Sequence, residues 1–426
     1  MSNFLTIKRS NATEKTEHAG NQYAENGIYV SIVSSATGAV NKTFFLNDGQ
    51  IDSFANASIY EGFAETVRAD KLEDFRDIIE NLMPNQAIAL GRLARPHVQL
   101  PLTTKAKLRS GTIARTKNFF KHPESAGYVL ADIDTKDLPP SIVEKMAGRP
   151  ILDVVYEVLP ELQATARLVR ASSSAGIRHP NGTERPATGY HIYLRVQNQS
   201  ESEALLKLMH DRLWEAGYGY ILAGKDGHLH ERSLTDTAVY GPERLIFEAA
   251  PHTRSPLTRQ PIADQVFSGN TLANIVPGDP DVIDNLKREA RHAIKPMAQK
   301  KKRAHITRSA ERLMEDSGLS KVQAAKIVRQ RLEGRELAEN DSLEIGRGQY
   351  SKVSEFLENA VGSVGMPCPI EGSEYGTSKA YYYPADEYRP YPRIISFAHG
   401  GITEFTFARF KHLKGLRAAQ KESRHV

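Results

Sequence analysis

Apolar residues recur along the first two thirds of the chain with two different periods. Segments in which apolar residues cluster or alternate between turn residues predict strands, and apolar residues three and four positions apart predict helices. The predicted strands are residues 27–35, 42–46, 86–93, 126–134, 167–173, 188–196, 218–224 and 243–250, and the predicted helices are residues 71–83, 138–148 and 200–217. This alternation predicts a mixed α/β (α+β) fold, with a central sheet and helices packed on one of its faces.

The pattern changes after residues 278–281. Residues 281–334 are helical in pattern and rich in Lys and Arg, and a Tyr-rich, strand-like segment begins near residue 363. Residues 1–22 are polar and are expected to form a loose tail. We therefore expect an N-terminal α/β unit that contributes to a central core, then a basic helical domain and a C-terminal accessory segment. Their predicted bounds are 1–98, 99–280, 281–345 and 346–426.

Composition narrows the classes of function. The 426 residues are 40% apolar and 25% charged, which suits two or three domains with their own cores. A net charge of +5 permits a nucleic-acid partner without requiring one. The single cysteine, Cys368, excludes a disulfide framework and a cysteine-based zinc site within one chain. The sequence has no run of about 18 apolar residues and no apolar signal-peptide core, so we expect a cytoplasmic protein with no membrane partner.

Two aspartates end the apolar segment "GYVLADID". Asp132 and Asp134 are predicted to share a face with Leu130, because alternate residues of a strand point the same way. Carboxylates about 6.6–6.8 Å apart along a strand can converge on divalent cations. Their hard oxygen ligands favour Mg²⁺ or Mn²⁺. A solvated strand end explains the pair alone equally well, and the metal-bound diphosphate site of a sugar-nucleotide glycosyltransferase also fits it.

The strand "TGYHIYLRV" is predicted to carry polar side chains on one face. These side chains are His191, Tyr193 and Arg195. Such a face suits an open sheet surface that meets an anionic ligand, where His191 donates to a phosphate oxygen and Arg195 supplies positive charge. A half-exposed surface strand is the simpler alternative for this stretch.

The segment "RASSSAGI" precedes that strand. Ser172, Ser174 and Gly176 lie in it, and small hydroxyl residues beside glycine offer side-chain and backbone donors to a phosphate. An ordinary flexible loop is the alternative interpretation.

A third element, "LTDTAVYGPERLIFEAAP", offers further acids and a base. Asp236 lies at its start, and Arg244, Ile246 and Glu248 are predicted to share one face of a strand. A third carboxylate would complete a metal site, and an arginine on the same face could hold a triphosphate.

These elements, in this order, resemble the archaeo-eukaryotic primase superfamily, in particular the primase and primase-polymerase modules of plasmids, phages and integrative elements. The first family motif is similar to Asp132-Ile133-Asp134, and the second to the Ser172–Gly176 loop with Gly189-Tyr190-His191-Ile192-Tyr193. The third most resembles Leu234-Thr235-Asp236, with Arg244 as the accompanying base; Glu248 is the second choice for this acid. The loop stands farther from His191 than the family pattern has it.

The resemblance implies a catalytic sheet related to the RNA-recognition-motif fold, with helices behind it and an open reactive face. It implies template-directed nucleotidyl transfer, in which a 3′-hydroxyl attacks the α-phosphate of an NTP or dNTP and pyrophosphate leaves. In that reaction Asp132, Asp134 and Asp236 would hold two Mg²⁺ or Mn²⁺ ions, without zinc. The residues that would bind the triphosphate are His191, Ser172, Ser174, Gly176 and Arg244.

The resemblance also implies single-stranded DNA as the template. The basic segment 287–313, with its run from Lys300 to Arg303, is a candidate template contact, and Tyr381, Tyr382 and Tyr383 could stack on bases. A solvated helix face and core packing of alternate tyrosines are the alternatives. The sequence lacks a Gly-x-x-x-x-Gly-Lys-Ser/Thr phosphate loop, so we expect any helicase to be a separate chain. A replication initiator or a defence-associated nucleic-acid-binding protein with little catalytic activity is the alternative function.

Overall fold

The computed structural model describes residues 22–413 except 48, 56–58, 136–137, 318, 387–388 and 399–401. The predicted N-terminal tail lies outside the described residues, apart from its last one. The described chain mixes helices and strands in several sheets, which confirms the mixed α/β class. The helices are α1 (Leu72–Glu80), α2 (Pro140–Met146), α3 (Ile151–Val158), α4 (Pro160–Ala164), α5 (Ser202–Glu215), α6 (Pro280–Ser317), α7 (Lys321–Gly334) and α8 (Val353–Asn359). The strands are β1 (Tyr29–Ser35), β2 (Lys42–Asn47), β3 (Gln50–Ala55), β4 (Gly62–Arg68), β5 (Gln86–Ala89), β6 (Leu100–Thr103), β7 (Ile113–Ala114), β8 (Gly127–Ile133), β9 (Arg167–Ala171), β10 (Ile177–Arg178), β11 (Tyr190–Val196), β12 (Tyr220–Ala223), β13 (Leu229–Arg232), β14 (His252–Thr253), β15 (Thr258–Arg259), β16 (Gln265–Phe267), β17 (Glu336–Leu337), β18 (Ser342–Gly346), β19 (Gln349–Lys352), β20 (Val364–Met366), β21 (Ala380–Tyr383), β22 (Arg393–Ser396) and β23 (Thr403–Phe407).

The described residues divide into two compact units. The first comprises the described residues of Met1–Lys136, Leu159–Leu206 and Val239–Ile275, and the second those of Asp137–Val158, Lys207–Ala238 and Val276–Val426. The four predicted domain bounds stay a prediction. Within the part of the chain that the structure covers, no helix combines the length and apolar character needed to cross a membrane.

The first unit contains a sheet with the strand order β5-β1-β4-β6-β7. Strand β1 lies between β4 and β5 and is antiparallel to both. Helix α1 has acidic residues in its first turn, which suits the positive end of the helix dipole. It buries Leu72, Phe75 and Ile79, whose spacing of three and four places them on one helix face. The strands and the helix that the sequence predicts in this region are confirmed.

A second sheet of the first unit has the order β16-β9-β11-β8, and its neighbours are all antiparallel. In this register His191 of β11 lies opposite Asp132 of β8 on one side and opposite Arg170 of β9 on the other. Residues that lie opposite each other share a face of the sheet. The register therefore places an acid, an imidazole and a guanidinium side by side on one face.

This polar face is covered along part of its length. The ring of Phe75 stacks on Tyr128 with centroids 4.9 Å apart and meets Tyr193 edge-on at 4.9 Å. Both tyrosines are fully buried. The prediction of an open surface is wrong for Tyr193, because helix α1 covers the sheet there and excludes water from the large aromatic rings.

Residues 243–250, all of which the structure describes, form an isolated bridge instead of the predicted strand. Ile246 exchanges both backbone hydrogen bonds with Ile88, at 2.9 and 2.8 Å. Arg244 is exposed while Ile246 and Glu248 are buried, so the predicted sharing of one strand face does not occur. Prolines 242 and 251 flank the segment, and proline cannot donate to a strand ladder.

The second unit contains the predicted helices of residues 281–334, which are α6 and α7. They pack through Ile306, Ala310 and Val328. Its C-terminal sheet has the order β17-β23-β22-β21-β20. Tyr382 of β21 is buried in the core of this sheet, whereas Tyr381 is half-buried on the other face. Core packing, the alternative given for the tyrosine run, is thus correct for Tyr382.

Candidate functional site

Asp132 and His191 meet at one end of the β8–β11 ladder. Asp132 Oδ1 lies 3.6 Å from His191 Nε2. Their side chains are 31% and 23% exposed, so a dissolved ligand can reach both. Asp134 follows the last residue of β8 and is exposed. The structure therefore brings together the first acid and the histidine that the sequence singles out.

Gly189 brings Asp134 and Ser172 to the same point. A Cβ atom at Gly189 would lie 3.5 Å from Asp134 Oδ1 and 3.5 Å from Ser172 Cβ. The Ser172 amide donates to the carbonyl of Gly189 at 2.9 Å. The Ser172–Gly176 loop thus begins beside the aspartate pair, where its hydroxyl groups can reach a ligand that the aspartates hold.

Glu248 is the buried partner of His191. Its Oε1 lies 2.5 Å from His191 Nδ1 and accepts a hydrogen bond from Tyr193 Oη at 2.5 Å. Its Oε2 lies 2.8 Å from Arg170 Nε. Glu248 is 6% exposed. Both carboxylate oxygens of Glu248 are therefore bonded within the protein, where they orient His191 and Arg170. These bonds argue against Glu248 as a third metal ligand.

Arg170 and Asp264 complete this buried cluster and were not predicted as site residues. Arg170 pairs with Asp264 and also donates to the backbone carbonyl of Glu248 at 3.0 Å. Arg170 precedes the predicted loop by two residues, so strand alternation could have placed it on the polar face. Asp264 lies 94 residues farther along the chain, and no local pattern signals it.

The cluster shifts the pKa values of its members. Burial opposes protonation of His191, but the Glu248 carboxylate outweighs burial and raises the pKa of His191 to about 9. Burial favours the neutral form of Glu248, yet His191 and Arg170 lower the pKa of Glu248 to about 2. Burial and then Glu248 raise the pKa of Tyr193 well above its usual value. At neutral pH the site therefore contains an imidazolium held by a carboxylate.

This shift predicts a pH dependence of stability. The pKa of His191 is about 9 in the folded chain, above its usual value of 6.5. Its contribution is therefore complete below about pH 6.5 and is lost as the pH rises through 9. We expect wild type to lose about 3 kcal/mol more unfolding free energy over this window than His191→Gln. Urea unfolding of both proteins at several pH values measures this, and equal slopes would contradict it.

The backbone donors of the Ser172–Gly176 loop are largely used inside the protein. The amide of Gly176 donates to the carbonyl of Arg185 at 2.9 Å. The amide of Ala175 donates to the carbonyl of Ser172, also at 2.9 Å. Ser172 Oγ and Ser174 Oγ lie 3.2 Å apart and are half-buried. The amide of Gly176 is thus bonded within the protein, and a phosphate contact at Gly176 stays a prediction. The serine hydroxyls remain as the candidate donors.

Gly176 has a structural reason to be glycine. Its φ is +74°, and a Cβ atom there would lie 1.9 Å from the carbonyl oxygen of Gln260. We expect Gly176→Ala to lower the unfolding free energy by at least about 3 kcal/mol. The control is Gly182→Ala, because Gly182 has a φ of +89° but no atom within 4 Å of its Cβ position; it should cost about 1 kcal/mol. Denaturant unfolding compares them, and equal losses would show that the close approach is unimportant.

Asp236 and Arg244, the other predicted ligands, lie in different units of the chain. Asp236 belongs to the second unit, where its Oδ1 accepts the amide of Ala238 at 2.9 Å. Arg244 is exposed in the first unit. Among the described residues, no group of three or more His, Cys, Asp or Glu side chains is arranged to hold a metal ion. The third ligand and the second ion stay predictions.

A site for one divalent cation at Asp132 and Asp134 also stays a prediction. Mg²⁺ is commonly bound by one or two carboxylates together with substrate phosphates and water, rather than by a complete cage of protein ligands. Asp132 is partly exposed and Asp134 is exposed, so solvent reaches both residues. Hard carboxylate oxygens suit Mg²⁺ or Mn²⁺.

Comparisons of the sequence with family models and with curated proteins, and of the fold with solved structures, yield no match.

Proposed function

We propose that the chain is a cytoplasmic DNA primase or primase-polymerase that makes primers on single-stranded DNA during replication of a mobile element or phage. The observation that carries the proposal is the direct pairing of Asp132 with His191 across β8 and β11, with Asp134 beside them. Two carboxylates next to a charged imidazole suit a nucleoside triphosphate and its divalent cation.

The sheet around this pair supports the proposal. Along the chain, β8 is followed by the helices α2–α4, then by β9, β10, β11, α5, the strands β12–β15 and finally β16; of these strands, β8, β9, β11 and β16 form one antiparallel sheet. A four-stranded antiparallel sheet with helices between its strands is the feature that supports a relation to the RNA-recognition motif, which the family resemblance implies; the order of the strands, with β8 at an edge, is not that motif's order.

The side chains suit distinct tasks in nucleotidyl transfer. Asp132 and Asp134 would hold the cation, which when bound neutralises charge on the phosphates and acidifies the attacking 3′-hydroxyl. His191, kept charged by Glu248, donates to a phosphate oxygen. Ser172 and Ser174 offer hydroxyl donors to the triphosphate. Arg244 and Asp236 remain proposed ligands for the triphosphate and for a second ion.

A primer-synthesis assay tests the proposal. Wild-type chain, a single-stranded DNA template, NTPs or dNTPs and Mg²⁺ or Mn²⁺ should yield template-dependent oligonucleotides without an added primer. Addition of a separate replicative helicase should be needed only for duplex templates. Absence of any product with all nucleotide and metal combinations would reject the proposal. Turnover of a nucleotide sugar without template would instead indicate a glycosyltransferase.

The alternative is a primase-like replication initiator or a defence-associated nucleic-acid-binding protein with minor catalytic activity. The bonds of Glu248 to Arg170, His191 and Tyr193 favour this alternative. They occupy the carboxylate oxygens of Glu248, which was a candidate for the third metal ligand. Tight DNA binding by wild type without primer synthesis would support this alternative.

A further inference from the structure

Positive charge in the second unit is concentrated on the middle of helix α6. Residues 290–310 contain seven Lys and Arg residues and no Asp or Glu. The run from Lys300 to Arg303 does not form one surface, because successive residues of a helix point about 100° apart. Lys301, for example, turns back onto its own unit, where its Nζ donates to the carbonyl of Ala223 at 3.0 Å.

A different set of residues forms a continuous cationic stripe along α6. Five of its six residues are spaced three, four and seven positions apart and so share one helix face; the sixth, Arg303, follows Lys302 and lines the adjoining groove. The stripe consists of Arg288, Arg291, His292, Lys295, Lys302 and Arg303. From Arg288 to Arg303 it spans about 22 Å at 1.5 Å per residue. Another face of the same helix packs Ile294 against the cluster that contains Trp214 and Ile221.

Two grooves follow this stripe and join. One lies between α6 and the β12–β13 turn, where Leu229 and Ala298 contribute apolar surface. The other lies between α6 and α7, where Lys321 and Arg329 add positive charge. Gln299 and Lys302 line both grooves, which makes them continuous.

Cationic and apolar side chains both line the combined groove, and the apolar ones are called its floor. Its floor includes Leu229, Ala298, Ile306 and Ala325. Glu333 is the one carboxylate that lines it among the described residues, and it lies 3.7 Å from Lys302. Arg291, which lines the groove, pairs with Glu231, which does not. The groove thus retains a clear excess of positive charge.

We propose that this groove binds single-stranded nucleic acid, with phosphates along the stripe and unpaired bases against the apolar floor. Cationic side chains that track a strand attract its phosphates by releasing counterions. An apolar floor favours an unpaired strand, since a duplex keeps its base faces stacked inside the helix. The choice of DNA as the strand rests on the proposed function; the groove itself is argued from charge and shape.

The test compares two variants with the same loss of charge. The groove variant is Arg288→Gln, Lys295→Gln and Arg303→Gln. The control is Lys105→Gln, Lys300→Gln and Lys326→Gln, which removes three exposed cations that do not line the groove. Fluorescence anisotropy with a labelled oligothymidylate at 50–200 mM salt measures binding, and thermal unfolding checks both folds.

We expect the groove variant to bind roughly 100-fold more weakly at 0.1 M salt, with a salt slope smaller by about 2. The control should bind nearly as wild type does. Equal weakening by both variants, or no weakening by either, overturns the proposal. Equally tight binding of a blunt duplex overturns the preference for an unpaired strand.

The outcomes also separate the groove from the proposed function. If wild type makes no primers but the two charge variants differ as expected, the groove is supported and the primase proposal fails. If primers are made and the two charge variants bind alike, the groove fails and the primase proposal stands.

Discussion

Replacing Asp132 and Asp134 together with Asn should reduce primer synthesis by roughly 1,000-fold or more. A bound cation contributes several kcal/mol to stabilising charge in the transition state, and about 4 kcal/mol corresponds to three decades in rate. Asn keeps the shape of each side chain but removes the charge that holds the cation. The rate of primer formation on single-stranded DNA at saturating Mn²⁺ measures the effect.

The control for this prediction is Glu73→Gln with Glu80→Gln. Both residues are exposed on α1, and the change removes the same charge from the same unit. It should leave synthesis within about twofold of wild type, as expected for surface substitutions away from a site. If the aspartate variant folds and still synthesises primers at near wild-type rate, Asp132 and Asp134 are not the metal ligands.

Glu248→Gln should destabilise the first unit by about 3–5 kcal/mol. It removes a buried carboxylate that pairs with two partly buried cations, His191 and Arg170, and breaking a pair at a buried carboxylate is costly. Gln can still accept a hydrogen bond from Tyr193, so the loss reports mainly on charge. Urea unfolding of the variant and of wild type at pH 7 gives the difference.

An exposed pair of the same chemistry provides the control. Arg178 and Glu184 lie 2.7 Å apart, with side chains 50% and 39% exposed. Glu184→Gln should therefore cost less than about 1 kcal/mol, because water screens the pair. Arg170→Gln should cost about as much as Glu248→Gln, and the two changes together should cost less than their sum. Comparable small losses for Glu184→Gln and Glu248→Gln would show that burial does not strengthen the Glu248 cluster.

Local pattern was enough to predict most elements that frame the site. Alternation around Asp132 and His191 predicted their strands and the face on which each side chain lies. Residues 243–250 show the limit of this reasoning, since they alternate like a strand but pair with the neighbouring sheet at Ile246 alone. The prolines on either side of this segment argued against a strand, but the alternating apolar pattern favoured one and gave the wrong prediction.

The site itself depended on distances that local pattern does not contain. The opposition of Asp132 and His191 is a matter of strand register, which pairs residues 59 positions apart. The sequence offered Glu248 as a candidate metal ligand. The structure instead shows it bonded to Arg170 and Tyr193, which lie on neighbouring strands of the sheet. Burial of Tyr193 required knowing that Phe75, from a distant helix, packs over it.

The ladder between β8 and β11 has a consequence for how this chain can vary. Every residue of β11 is matched to one of β8, so backbone pairing sets the Cα positions of Asp132 and His191 opposite each other. The exposed turn around Gly182 lies outside that ladder and can gain or lose residues at little thermodynamic cost. Homologues of this chain could therefore differ in length at this turn without changing how Asp132 and His191 lie opposite each other.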